Sequence, residues 1–193
     1  TLFLGGTTLS HLDVREASSP ILQEVADKTQ TMVCLGIRDE LSMVYIATHR
    51  SQEAMVTLRL DMGSRIPMGT TAMGRAYLAA SPPKIRDELL QRLRALDPAA
   101  WAQAEPAVSK AMLDHSGTRC TYSFGEWKRE INGIATPLRL TPELPLIIIN
   151  AAAPSQLTTP EHFLTVVRPA LLDAAARIAK SYQKIKGSAA PIA

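Results

Sequence analysis

The chain predicts an α+β fold, in which one antiparallel sheet has helices packed against it. Three observations carry this expectation. Short β-prone runs separated by turn signals fill the first third of the chain, and a near-continuous apolar run stands late in it. Amphipathic helical repeats occupy the intervals and the C-terminal end.

Taken in order, residues 1–17 hold Gly5-Gly6 and a mixed polar run, which reads as a turn and a connecting segment. Ser19 as cap and Pro20 at the first helical position then open the first clear helix, with Ile21, Leu22, Val25 and Ala26 on its apolar side. Thr31–Ile37 is β-prone, and Arg38-Asp39-Glu40 makes a polar turn. Leu41–Thr48 supplies a second strand, with Val44 and Ile46 on one side and Met43 and Tyr45 on the other; Met55–Leu60 is a third. Gly63–Thr71 reads as loop, and Ala72–Ala80 as a short helix stopped by Ser81-Pro82-Pro83. Lys84–Leu96 repeats Ile85, Leu89, Leu93 and Leu96 at helical spacing, and Glu105–His115 is a further helix ended by Ser116-Gly117.

Thr118–Leu140 alternates loosely enough for two strands, and Leu144–Ala153 has the unbroken apolar character of a strand buried on both faces. The last helix is capped by Thr158 or Thr159, with Pro160 and Glu161 in its first turn. Phe163, Val167, Leu171, Ala174, Ile178, Tyr182 and Ile185 form one continuous face. Pro169 interrupts that face and should bend or split the helix, and Gly187 should end it.

Composition excludes several classes. With 46% hydrophobic and 20% charged residues the chain is globular rather than disordered. A net charge of +3 and 5% aromatics supply neither the dense basic stripe nor the stacking platform of a nucleic-acid binder. No stretch approaches the about 18 uninterrupted apolar residues of a membrane-crossing helix, so no membrane partner is expected. The N-terminal residues lack a basic region and a cleavage site, which argues for a cytoplasmic protein, and position 1 is not Met, which suggests a piece of something longer.

Catalytic and metal signals are weak. His11, His49, His115 and His162 stand on different elements without an i, i+4 partner, so no metal site and no cofactor are expected. Cys34 and Cys120 read as two buried thiols or as a single disulfide. A small enzyme using Cys120, Glu126 or a histidine would need a nucleophile, a base and an orienter, and no spacing assembles them.

The informative stretch runs from Ile66 through Pro67, Thr70, Thr71 and Met73 to Ala79. A Gly/Thr loop entering a helix presents free amides and a positive dipole end, a receptor for a carboxylate or other small anion. In the alternative reading, Thr70 or Thr71 simply caps the helix.

This stretch resembles the signature of the C-terminal effector-binding domain of IclR-type bacterial transcriptional regulators. Pro67, Gly74, Ala76, Leu78 and Ala79 follow it, with Arg75 for the usual Lys and Gly69 where His is common. A second likeness runs through Ser116-Gly117, Glu126 and Glu130–Leu138, although Glu130 and Gly133 stand where Gly and Ser are usual. A third is the strand ending in Asn150–Pro154 before the long helix, and Leu2–Gly5 resembles the end of the family's DNA-binding module.

The resemblance implies a GAF-like antiparallel sheet flanked by helices, with a pocket for a small organic effector, a carboxylate or an aromatic compound. The implied ligand-binding residues are Thr70, Thr71, Ala72 and Met73 at the helix start and Glu126, Gly133, Asn150 and Ala152 on the facing strands. Met73 and Met68 point to an effector with an apolar portion. The implied organisation is residues 1–17 as the end of a DNA-binding module and linker, 18–187 as the effector-binding domain, and 188–193 as a flexible tail. Operator DNA would be bound by a winged helix-turn-helix absent from this chain, in a homodimer or tetramer serving transcription regulation, as a repressor or an activator. A stand-alone GAF-like signalling module is the competing reading.

Overall fold

The computed structural model, which describes residues 2–51 and 58–188, builds its sheet from both ends of the chain inward. Strand β1 (Met32–Asp39) lies at the centre, paired with β2 (Ser42–His49) on one side and with β6 (Ile147–Pro154) on the other. Beyond β6 come β5 (Ile131–Leu138) and β4 (Thr121–Phe124), and β3 (Arg65–Pro67) flanks β2. All pairings are antiparallel, in the order β3-β2-β1-β6-β5-β4. The α+β class is as the patterns predict. The strand expected over Met55–Leu60 falls mostly outside the described residues, and its described part, Leu58–Leu60, is not strand. The three residues of β3 lie within what reads as loop, because a turn at Met62-Gly63 folds the segment back onto β2.

Alternation along β6 separates two cores. Ile147, Ile149, Ala151 and Ala153 face a cluster that includes helices α1 (Leu2–Thr29) and α6 (Arg168–Ser188). Ile148 and Ala152 face the other cluster, with α2 (Ala72–Ala80), α3 (Pro83–Leu96) and α4 (Pro98–Thr118). The molecule is thus three layers, helices on both faces of one sheet. On β2 a bulge resets the alternation: Leu35 pairs with Ala47 but Gly36 with Tyr45, leaving Ile46 as the extra residue. Met43 and Tyr45 therefore face the α2 side while Ala47 faces the α1 side.

Several helix boundaries correct the local reading. α1 runs unbroken through Gly5-Gly6 and Pro20, where a turn and a helix start are expected. Val14, Ala17, Ile21, Leu22, Val25 and Ala26 bury one stripe in the first core, and that packing outweighs local breakers. Pro20 sits exposed, and the Glu16 carbonyl it deprives of a helical donor belongs to an exposed residue open to water. α4 likewise begins at Pro98, capped by Asp97 accepting the Ala100 amide, and carries Pro106 on its exposed side. It ends not at Gly117 but at Arg119, which adopts the left-handed cap with φ 60. On α3 only Leu89 of the expected stripe is buried, and Leu96 is exposed.

The last helical run matches its predicted stripe, since Phe163 to Tyr182 of that face are buried. Thr159 provides the cap for a first turn, α5 (Pro160–His162). Phe163–Val167 is then a π-helical turn before α6. Pro169 lacks an amide and its ring would strike the preceding carbonyl in a regular α-helix, so the widened turn gives it room. The expected interruption is thereby a change of helical register rather than a break.

Candidate functional site

Between α2 and the sheet lies a small cavity in the second core. Its floor is Asn150 and Ala152 of β6, Gly133 and Ile131 of β5, and Tyr45 of β2. The walls are Thr71 and Ala72 at the start of α2, Ser123 of β4, Ile66 of β3, and Leu60 and Trp127. The register β5–β6 sets Gly133 against Ala152, and β1–β6 sets Cys34 against Asn150. A Cβ on Gly133 would lie 3.8 Å from the Ala72 side chain and 3.9 Å from Asn150 Oδ1, so the missing side chain keeps this space open.

The loop entering α2 is rigidly held. Thr71 Oγ1 accepts the Gly74 amide at 3.1 Å and donates to the Pro67 carbonyl at 2.6 Å. Its hydroxyl is therefore spent as a helix cap and has no proton left for a ligand. The amides of Ala72 and Met73 precede the first intrahelical bond and stay available at the positive end of the helix. Two β4 hydroxyls pin the same segment, Thr121 Oγ1 donating to the Ala72 carbonyl at 2.7 Å and Ser123 Oγ to the Thr70 carbonyl at 2.8 Å. Gly74 lets the helix start pass close over Met68, whose carbonyl would be 2.2 Å from an added Cβ.

Two polar groups in the cavity stand out. The Asn150 carboxamide and the Tyr45 hydroxyl belong to residues only 4% and 2% exposed, yet neither side chain has a hydrogen-bond partner among the described residues. Their polar atoms open into the cavity rather than being sealed in protein; among the described residues the side-chain polar atom fully buried without a partner is Trp101 Nε1 of α4. Burial pushes the Tyr45 phenol well above its usual range, so it stays protonated as a donor. None of the residues described as lining the cavity carries a formal charge.

Of the eight residues expected at a ligand site, Thr71, Ala72, Gly133, Asn150 and Ala152 come together here. The other three are elsewhere. Thr70 presents its carbonyl to Ser123. Met73 is fully buried with its sulfur over Gly36, where an added Cβ would lie 2.3 Å from it. Met73 and Met68 are therefore core residues, and the cavity's apolar lining comes instead from Tyr45, Leu60, Ile66, Trp127 and Ile131. Glu126 points away, its carboxylate 2.8 Å from Arg75 Nη2.

Period-two reading from Gly133 reaches Ile131, and Tyr45 shares the inner face with Met43. Ser123 and Trp127 carry no sequence signal. Trp127 lies in the β4–β5 connection, which turns at Gly125 with φ 69. That connection is fastened by Arg75, which is 2% exposed. Arg75 Nε donates to the Gly69 carbonyl at 3.0 Å and Nη1 to the Tyr122 carbonyl at 2.9 Å, while Nη2 holds Glu126. One guanidinium thus joins the loop before α2 to the connection bearing Trp127. With Trp127 in place the cavity is only about 20 Å3, scarcely more than the space of one water.

The free thiols have no such role. Cys34 and Cys120 are buried and unpaired by disulfide, and burial raises the pKa of both, that of Cys120 to about 11. No cluster of three or more metal-ligating side chains occurs among the described residues. No helix among them is long and apolar enough to cross a membrane.

Residues 6–180 match the family model described as bacterial transcriptional regulator IclR C-terminal. The crystal structure of an IclR family transcriptional regulator from Brucella abortus is similar with TM-score 0.85 and 30% identity, over 93% of this chain and 67% of that one. The HTH-type transcriptional regulator TsaQ1/TsaQ2 of Comamonas testosteroni is 27% identical over 135 residues, 69% of this chain and 49% of that protein. The match spans about half the length of that curated relative and less of the others. An IclR homologue from Microbacterium hydrocarbonoxydans, solved with 4-hydroxybenzoate, shares the fold at TM-score 0.69 and 18% identity, over 90% of this chain and 70% of that one.

Proposed function

The chain belongs to the IclR family of bacterial transcriptional regulators, as their C-terminal domain, and from that premise we propose that its α2–sheet cavity senses a small organic effector. The family consists of regulators and not enzymes. The single observation that carries the proposal is a pair of polar side chains, Asn150 and Tyr45, that make no hydrogen bond among the described residues and open into one cavity with the start of α2. An effector bearing a carboxylate or phenol would pair them, and the amides of Ala72 and Met73 would take its negative end. The apolar lining suits an aromatic or short aliphatic body, and the complex of the Microbacterium homologue with 4-hydroxybenzoate is consistent with that class.

Entry requires the β4–β5 connection to move, because the cavity as it stands is too small for a ring. Trp127 is the door and the Arg75–Glu126 pair its fastening. Such movement would change the affinity of an attached winged helix-turn-helix for operator DNA only by the effector's preference for one state over the other. In this reading residues 1–17 join that module, 18–187 sense the effector, 188–193 form a tail, and a homo-oligomer in the cytoplasm carries the response.

The test is calorimetric titration of the chain with 4-hydroxybenzoate, benzoate and short aliphatic carboxylates. Asn150→Leu should weaken binding about tenfold while leaving stability nearly unchanged, since the carboxamide makes no hydrogen bond among the described residues. Gly133→Ala should fold normally, its added methyl meeting only ordinary contacts of 3.5 Å or more, and should abolish binding of 4-hydroxybenzoate within the cavity by filling it. Undiminished binding by both variants would refute the site.

A further inference from the structure

A second opening lies on the far side of Arg75, at the free edge of the sheet, and shares no lining residue with the cavity. Edge strand β4 ends the sheet there, with α4 of one helical layer on one side and the π turn of the other layer on the opposite side. The cleft has a volume of about 430 Å3, within the usual range of small-molecule sites. Ala107 and Ala111 of α4, Phe124 of β4 and Leu164 of the π turn give it an apolar wall.

Its charges do not cancel. Lys110 pairs with Asp114 at 2.6 Å, and Arg75 with Glu126 at 2.8 Å. Arg168, where the π turn meets α6, has no carboxylate partner among the described residues. Its guanidinium makes one hydrogen bond among the described residues, a long one of 3.5 Å to the Tyr122 hydroxyl, which itself donates to Thr118 Oγ1 at 3.1 Å. A guanidinium has five donors in a planar fork suited to carboxylate or phosphate, so most of this fork is unused. The residue is half-buried against apolar neighbours, where such a charge-assisted pair is stronger than in open water. Leu164 and Arg168 stand four residues apart on this helical run and line the same cleft.

We propose that this cleft is a second binding site, for an organic anion whose carboxylate or phosphate pairs with Arg168 and whose apolar body lies on Phe124, Leu164 and the α4 alanines. The Lys110 ammonium adds a second cation on the rim, and Asp114 and Glu126 restrict the site to ligands with a single anionic head. An occupant would touch both helical layers and the Arg75 guanidinium that fastens the loop before α2.

Phenyl phosphate, benzoate and inorganic phosphate distinguish a ligand with an apolar body from a bare anion. Titrated into the chain and followed by backbone amide NMR shifts, phenyl phosphate or benzoate should move residues of α4 and the π turn. Binding should persist in Gly133→Ala, weaken about tenfold in Arg168→Gln and less in Lys110→Gln, and fall with added salt. Inorganic phosphate should bind more weakly by a similar factor. Because Gly133→Ala fills the cavity alone, failure of the effector reading leaves this result intact. The proposal is overturned if Gly133→Ala removes all binding while Arg168→Gln, folded by circular dichroism, does not. It is equally overturned if inorganic phosphate binds as tightly as the aromatic anions, or if the cleft shifts reflect only concentration-dependent self-association by sedimentation.

Discussion

At Gly74 the cost of a single methyl can be read directly from the backbone. An added Cβ would sit 2.2 to 2.6 Å from the carbonyl and Cα of Met68, and backbone held by Thr71 and Arg75 has nowhere to retreat. At Gly36 the obstacle is the tip of the Met73 side chain, a flexible thioether that can swing aside. Gly74→Ala should therefore destabilise the fold by about 3 kcal/mol and Gly36→Ala by about 1 kcal/mol, as measured by urea unfolding. Equal costs would mean that the start of α2 is less rigid than its hydrogen bonds imply. The same scale explains Thr71, which lines the cavity but whose hydroxyl serves the helix.

The element that matters most for access to the cavity is the β4–β5 connection. It is anchored at Arg75, whose guanidinium serves three segments, and lightly at Glu126, whose side chain is 41% exposed. Removing the buried cation strands two carbonyls and a carboxylate, whereas neutralising an exposed acid leaves the guanidinium bonded to both carbonyls. Arg75→Met should cost about 3–5 kcal/mol, against less than about 1 kcal/mol for Glu126→Gln. The second variant should also unfasten the connection and change Trp127 fluorescence without unfolding the chain. Fluorescence unchanged from the parent protein would show that Trp127 is held by other contacts, such as Lys128, whose ammonium lies 4.8 Å from its ring centre.

For the molecule as a whole, stability should depend on pH through two histidines. Burial lowers the pKa of His49, with Arg15 adding to the effect, and burial alone lowers that of His115. Between their depressed folded values and the ordinary imidazole value of about 6.5, the unfolded chain binds more protons than the folded one. Stability is then full above that value and falls as pH drops through it. The melting temperature should decline from pH 7 towards pH 5, and His49→Gln with His115→Gln should flatten the decline. A profile unaltered by the double substitution would assign the loss to other groups.

Periodicity was enough to foretell the α+β class, the first two strands, the buried late strand and the stripe from Phe163 to Tyr182, although the turn between those strands is Glu40-Leu41 and the expected turn residues Arg38 and Asp39 belong to β1. The Gly/Thr loop entering a helix marked the start of α2 as a receptor, whereas Gly133, Asn150 and Ala152 on the strands came from the family resemblance and not from spacing. Local signals could not foretell that α1 would run through Gly5-Gly6 and Pro20, nor that α4 would pass Pro106 and end at Arg119. At Pro20 and in α4 the outcome depends on burial against elements distant in sequence, which outweighs breakers worth a few kcal/mol. Only the folded chain decides that Met73 belongs to the core, that Glu126 turns to Arg75, and that Tyr45 and Asn150 are left facing each other's cavity without partners. Pattern along a chain records which residues prefer to be buried, and three-dimensional packing alone determines which polar side chains face a cavity instead of a partner.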